Sequence, residues 1–234
     1  MILDDFIMLG RTKPTKSKKY GLTVCSAGYS KELRQFVRIY PLPQNSRLKR
    51  WSVCRGPVMR SKHDSRIESW RLSNEMTSSE RGVDVIDVAD RVIEFDYLES
   101  KATSIAELNE NRLSLGIVRP DSFEPHYMDM KPTRERQINL DLGEALVDDR
   151  YRPKVQFSCD GDHDLQILDW GCHEFIRNRI NTGRNNAEDL WSALNLNNDG
   201  YEHLFFVGNQ NSHRSSWLII SVISRKATTQ GRLF

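Results

Sequence analysis

The sequence is short of several things, and each shortage excludes a class. Four cysteines in 234 residues are too few for a disulfide scaffold, so a reducing, cytoplasmic setting is expected. No apolar run approaches the roughly 18 residues that a membrane-spanning helix needs; the longest are four residues, as in Trp217–Leu218–Ile219–Ile220, a strand's worth, and mean hydropathy is −0.60. The start, Met1–Ile2–Leu3–Asp4–Asp5, lacks the basic and apolar regions of a secretory signal. Neither G-x-G-x-x-G nor G-x-x-x-x-G-K-[ST] occurs, and strands do not alternate with helices as a doubly wound sheet requires. Dinucleotide-dependent and P-loop chemistries are therefore not expected.

Charge is present in quantity but unevenly. Residues 1–75 carry 16 Lys+Arg against 6 Asp+Glu, a balance of +10. Residues 76–150 balance to −8, and residues 151–234 to zero. A basic first third points to a polyanionic partner, unless it packs against the acidic middle and is neutralised there.

The hydrophobic pattern reads as mostly short strands. Residues 11–19 hold five positive charges and read as a mobile basic loop. Tyr20–Ala27 and Gln35–Pro41 form a hairpin; in its second arm Phe36, Arg38 and Tyr40 share one face and Val37 and Ile39 the other. Leu48–Val58 is a third strand, Arg60–Leu72 an extended segment, and Val83–Leu98 either strand or helix. A helix capped by Thr103 or Ser104 precedes a strand at Leu115–Val118. Residues 120–136, rich in proline and acid, read as a linker. Then come a strand at Lys154–Cys159, helices at about 169–181 and 186–196, and apolar strands Tyr201–Val207 and Ser216–Ile223. The expected class is α+β and β-rich: two OB-like small barrels or curled sheets with inserted helices. The expected division is a basic N-terminal unit over 1–120, an acidic linker or insertion over 121–150, and an α+β unit over 151–234.

Two constellations fit nucleic-acid binding. One is a basic–aromatic strip: Arg38, Tyr40, Arg47, Lys49, Arg50, Trp51, Arg55, Arg60, Lys62, Arg66, Trp70 and Arg71. Cations neutralise phosphates and exposed rings stack on bases. The other is the polar segment 208–215 between two apolar strands, where Asn209, Gln210, His213 and Arg214 offer donors and acceptors for base edges or phosphate. A third group, Cys159, Asp160, Asp162, His163, Asp164, Asp169, Cys172 and His173, with Cys25, Cys54 and His63 upstream, contains zinc-type and magnesium-type ligands. Its spacing matches no standard zinc knuckle, and adjacent Cys172 and His173 diverge on a helix. The expectation is buried cysteines and polar turns, with no metal and no cofactor.

Several strings are similar to the bacterial dual-OB-domain proteins. Lys19–Gly28 with Phe36–Pro43, and Asp64–Arg71, resemble the start of that group. Asp169-Trp170, Phe205–Asn209 and Ser216–Ile220 resemble its second unit. The resemblance leaves 76–150 uncovered and supplies no catalytic residues. It implies a nucleic-acid or nucleotide binder tied to prokaryotic conflict systems, in phage defence or its evasion. The expectation is thus a cytoplasmic, non-catalytic protein that binds DNA or RNA, single-stranded by preference, away from membranes. A metal-dependent nuclease using Asp160–Asp169 is the enzyme alternative, and a module binding a protein partner through the acidic middle is the other.

Overall fold

A computed structural model describes residues 1–17, 21–43, 48–73, 84–88, 91–129, 151–182 and 188–227. The first unit contains β1 (Ile2–Arg11), β2 (Thr15–Ser17), β3 (Gly21–Ser30), β4 (Gln35–Pro43), β5 (Ser52–Arg60), β6 (Ser69–Leu72) and β7 (Asp84–Val88). β1 pairs with β3, β3 with β4, β4 with β6, β6 with β5, and β5 returns to β1. That closes a five-stranded barrel, in which only the β4–β6 pairing is parallel. Taken in chain order, its five strands follow the 1-2-3-5-4-1 circuit of an OB barrel. β2 and β7 pair onto its outside through β3 and β5.

α1 (Arg91–Glu99) and α2 (Ile105–Glu110) follow. Ser104 starts α2 with a capping box: its hydroxyl accepts from the Glu107 amide, and the Glu107 carboxylate accepts from the Ser104 amide. The second unit is two curled three-stranded antiparallel sheets. β9 (Ser122–Asp129), β10 (Tyr151–Ser158) and β11 (Asp162–Gln166) form one. β8 (Leu115–Val118), β12 (Tyr201–Asn209) and β13 (Trp217–Lys226) form the other. An Ile167–Ile219 bridge ties them, and α3 (Trp170–Asn181) and α4 (Glu188–Ala193) complete the unit. No described helix is long and apolar enough to cross a membrane.

Three readings change. The start of the expected linker is strand β9, paired with β10 along its whole length; proline is tolerated there because β9 is an edge strand. The rest, 130–150, lies outside the described residues. β8, grouped by sequence with the first unit, pairs with β12 of the second. The basic loop is held over its first half: Lys13 N donates to the Leu168 carbonyl at 3.0 Å, and Thr12 bridges to Asp169.

The core has three parts. Leu3, Phe6, Met8, Val37, Ile39 and Cys54 fill the barrel. Phe157, Ile167, Cys172, Trp191, Phe205 and Trp217 fill the second unit. Between them lies a seam core drawn from both: Ile7, Leu9 and Tyr29 from the barrel, Phe95 and Leu98 from α1, and Leu115, Phe206 and Ile220 from the second unit. β1 is thus buried on both faces, with Phe6 and Met8 turned inward and Ile7 and Leu9 toward the seam.

Candidate nucleic-acid interface

The seam decides what the basic strip can do. β4 alternates as its sequence dictates, but the face carrying Phe36 and Arg38 meets the second unit instead of solvent. Phe36 packs on Phe206 with ring centroids 5.3 Å apart. Arg38 is only 3% exposed; it donates to the Ser114 hydroxyl and the Ser114 carbonyl, both at 3.0 Å. Ser114 passes on to Glu68, whose carboxylate accepts from its amide at 2.7 Å and its hydroxyl at 2.9 Å. Burial pulls the Arg38 pKa down, which Asp64 and Glu68 oppose. Gly208 lets β12 come this close, since a Cβ there would stand 3.2 Å from Arg38 Nη2. Of the stripe Tyr40, 41% exposed, is the residue that faces solvent, while Phe36 is half-buried and Arg38 buried.

Other members of the strip are also structural. Trp51 and Trp70 are core residues and offer no ring for stacking. Arg60 lies over the Trp70 ring at 4.1 Å. Arg50 spans the seam, donating to the Val222 carbonyl at 2.9 Å and to buried Asp169 at 2.8 Å. Arg71 makes a 3.5 Å bond to the Leu72 carbonyl. Lys49, Arg55 and Lys62 are exposed, and none lines the clefts described below. Arg47 lies outside the described residues.

Arg66 is different. It sits in the β5–β6 loop, where Asp64 accepts from its Nε at 2.8 Å, and its Nη1 donates to the Asn209 carbonyl at 2.6 Å. Burial alone would raise the Asp64 pKa, but bonds from Arg66 and Ser69 hold it down at about 2. Around this contact the β12–β13 loop docks on the β5–β6 loop. Arg214 donates to the Ser65 hydroxyl at 2.9 Å, and the Asn211 amide reaches the His63 carbonyl at 3.5 Å. The basic strip and the polar loop, separate in sequence, meet here.

Two clefts flank the Arg66–Asn209 contact. The first, about 600 Å³, is lined by Ser65, Arg66 and Ile67, by Asn109 in the last turn of α2 with Arg112 and Leu113 just after it, and by Asn209, Arg214 and Ser215. It presents three guanidinium groups from three elements and no carboxylate. Asn109 is fixed by the Trp217 indole, which donates to its Oδ1 at 3.0 Å. The second cleft, about 500 Å³, lies among Thr12, Thr15, Cys25, Arg38, Tyr40, Arg66 and the loop residues Asn209, Gln210, Asn211 and Ser212. His213 is exposed, bonded to Ser212 at 2.9 Å, and lines neither. Arg112 was missed by sequence reading. Its only local signal, the polar end of a capped helix, does not say what faces it.

The aspartates expected to serve a nuclease do not converge. Asp162 and Asp164 lie on β11, not in a loop. Asp164 pairs with Lys154 and His126, and Asp169 with Arg50 while capping α3 through the Cys172 amide. Cys54 and Cys172 are buried in the two cores, as expected of small apolar side chains. Among the described aspartates of this group, Asp160 is the one that gathers two ligand-type neighbours, Cys159 and His163. Burial would raise its pKa, but bonds from Cys159, His163 and the Ala106 amide hold its carboxyl well below the usual range.

No curated protein matches the chain. A solved structure, a murine DNA-binding protein bound with double-stranded DNA, aligns over 97% of this chain and 98% of that one at 9% identity, with a TM-score of 0.30. So loose an alignment carries no argument about a ligand. Residues 4–92 match the domain of unknown function DUF8758, and residues 97–234 match the domain of unknown function DUF8757. The second match spans more than half of the sequence, and the chain belongs to the DUF8757 family.

Proposed function

We propose that this protein binds single-stranded nucleic acid without cutting it, holding phosphate in the cleft of Arg66, Arg112 and Arg214. The observation that carries the reading is the position of the two clefts on the barrel. OB barrels bind oligonucleotides on the face of their second and third strands and on the loops joining strands 1–2 and 4–5. Here those are β3 and β4, the segment after β1 and the β5–β6 loop, which supply Thr12, Thr15, Tyr40, Ser65 and Arg66 to the clefts. The second unit covers most of that face and leaves its rim open.

The chemistry of the rim fits a strand. The guanidinium forks of Arg112 and Arg214 suit phosphate oxygens, which such groups contact through charge-assisted bonds, while Arg66, already bonded to Asp64 and Asn209, shapes the wall between them. Across Arg66, Tyr40 offers a ring for a base, and Gln210 and Asn211 offer amides for base edges. The strand would run over Asn209, one phosphate on one side and a base on the other.

The test is titration of labelled single- and double-stranded DNA and RNA at several salt concentrations, with Arg112→Ala and Arg214→Ala beside the parent. Each variant should weaken binding by about 1–3 kcal/mol and reduce the salt slope by about 1. Variants that bind every nucleic acid like the parent overturn the reading.

A further inference from the structure

The Cys159–Asp160–His163 turn is left unused by the nucleic-acid reading. Ligand atoms of all three lie within 4.8 Å of one another. Cys159 Sγ is 2.9 Å from Asp160 Oδ1, and His163 Nε2 is 2.8 Å from the same oxygen. We propose that these three residues bind a zinc ion that clamps the β10–β11 turn to the start of α2.

The hairpin builds the set. Phe157 faces His163 and Ser158 faces Asp162 in register, and the Cys159 amide closes the turn on the Gly161 carbonyl at 3.3 Å. Cys159 and His163 are thereby brought to the same end of the ribbon. Asp160 Oδ2 is held from the other side by the Ala106 amide at the start of α2, which leaves Oδ1 to the thiol and the imidazole. A carboxylate oriented by an outer hydrogen bond is the usual support of a metal ligand. Phe157 flanks His163 with ring centroids 5.2 Å apart.

The geometry needs little adjustment. Zn–S near 2.3 Å and Zn–N and Zn–O near 2.0–2.2 Å put tetrahedral ligand atoms roughly 3.3–3.6 Å apart. The two contacts to Asp160 Oδ1 therefore open by roughly 0.5–0.7 Å as the ion enters. Two hydrogens must clear the site: the Cys159 thiol releases its proton to solvent, and the hydrogen with which His163 Nε2 bonds Asp160 Oδ1 is given up, leaving the ring N–H on Nδ1 and the Nε2 lone pair to the metal. Water fills the fourth position, since the turn faces solvent. A thiolate and an imidazole select zinc over magnesium. The cluster Asp4, Asp5 and Glu32 offers no comparable set, being all carboxylate, with Asp5 already accepting from the Ser30 hydroxyl and the Glu32 amide.

The test is titration of the chelator-stripped full chain with Co²⁺, followed by Zn²⁺ competition and thermal unfolding. One equivalent should give a thiolate-to-cobalt charge-transfer band with tetrahedral d–d bands, displaced by zinc, and zinc should raise Tm. Cys159→Ser and His163→Ala should each lose the signal and weaken zinc by more than roughly 100-fold, beyond the 10–100-fold of an outer-shell change. His163→Gln, which keeps a hydrogen-bond partner for Asp160, should fold like the parent and bind no better than His163→Ala. The proposal is overturned if cobalt gives no thiolate band, or if that band survives Cys159→Ser.

Discussion

The Arg66 guanidinium donates to the Asn209 carbonyl at 2.6 Å, joining a loop of the barrel to the last residue of β12. Arg66 is at the same time held by Asp64 through its Nε at 2.8 Å, so its fork is fixed from both sides of the seam. The contact therefore fastens the two units and fixes the wall that both clefts share.

The Asp64–Arg66 pair makes stability depend on acid. Asp64 titrates at about 2 in the folded chain against an ordinary value of 3.8, despite burial that would raise it. A carboxylate depressed on folding stabilises above its unfolded pKa and loses that contribution as pH falls through its folded pKa. The contribution, at most about 2 kcal/mol, should be complete above pH about 4 and fade toward pH 2. Urea unfolding of the parent and Arg66→Met at stepped pH checks this. The stability gap between them should narrow on going from pH 4 to pH 2, and a gap independent of pH in that window would refute it.

Arg38 should act through folding. Arg38→Met removes both bonds to Ser114 and leaves Glu68 buried with its balancing charge gone. Breaking one side of a buried charged network typically costs about 3–5 kcal/mol. The variant should unfold at lower denaturant, while its folded fraction should lose much less affinity than Arg214→Ala, since Arg38 is buried at the back of the second cleft with its donors on Ser114. Normal stability with lost binding would make Arg38 a phosphate contact after all.

Much of the fold is legible in the sequence because it is local. The β3–β4 hairpin, the capped α2 and the β12–β13 pair each announce themselves through alternation, capping or an apolar run. What is not legible is what covers a strand. The period-2 pattern of Phe36, Arg38 and Tyr40 places them on one face, but whether that face meets water or Phe206 depends on a unit some 170 residues further along the chain. β1 escapes for a related reason: Phe6 to Leu9 are apolar on both faces, so no alternation appears. The candidate site is half legible. Arg66 and the 208–215 segment are visible as polar groups, but their meeting is set by the seam.

Close approach at two glycines should separate repairable from unrepairable crowding. A Cβ at Gly208 would stand 2.6 Å from Ile220 Cδ1 and 3.0 Å from Leu115 Cδ2, both ends of flexible side chains. Gly208→Ala should therefore cost about 1–3 kcal/mol, as overpacking does. At Gly28 the Cβ would stand 2.0 Å from the Ile7 carbonyl oxygen, which is backbone of the paired strand β1. Gly28→Ala should fail to give a folded barrel. Thermal melts of the two variants decide it, and equal destabilisation would contradict the distinction.

Arg214 and Trp217 lie three residues apart on the same hairpin and should fail in different ways. Arg214 is exposed, bonded only to the Ser65 hydroxyl among the described residues, and lines the first cleft. Arg214→Ala should leave Tm within a degree or two of the parent and weaken nucleic-acid binding by about 1–3 kcal/mol. Trp217 is 5% exposed in the core of the second unit, with its indole donating to Asn109. Trp217→Ala removes a buried aromatic, a change that typically costs about 3–5 kcal/mol. Trp217→Phe keeps most of that packing but frees Asn109, which lines the cleft, so it should remain folded and lose part of the affinity. Circular dichroism melts and binding titrations on the same samples separate these outcomes. If Trp217→Phe binds as the parent does while Arg214→Ala does not, Asn109 plays no part in holding the ligand, and the arginines carry the cleft alone.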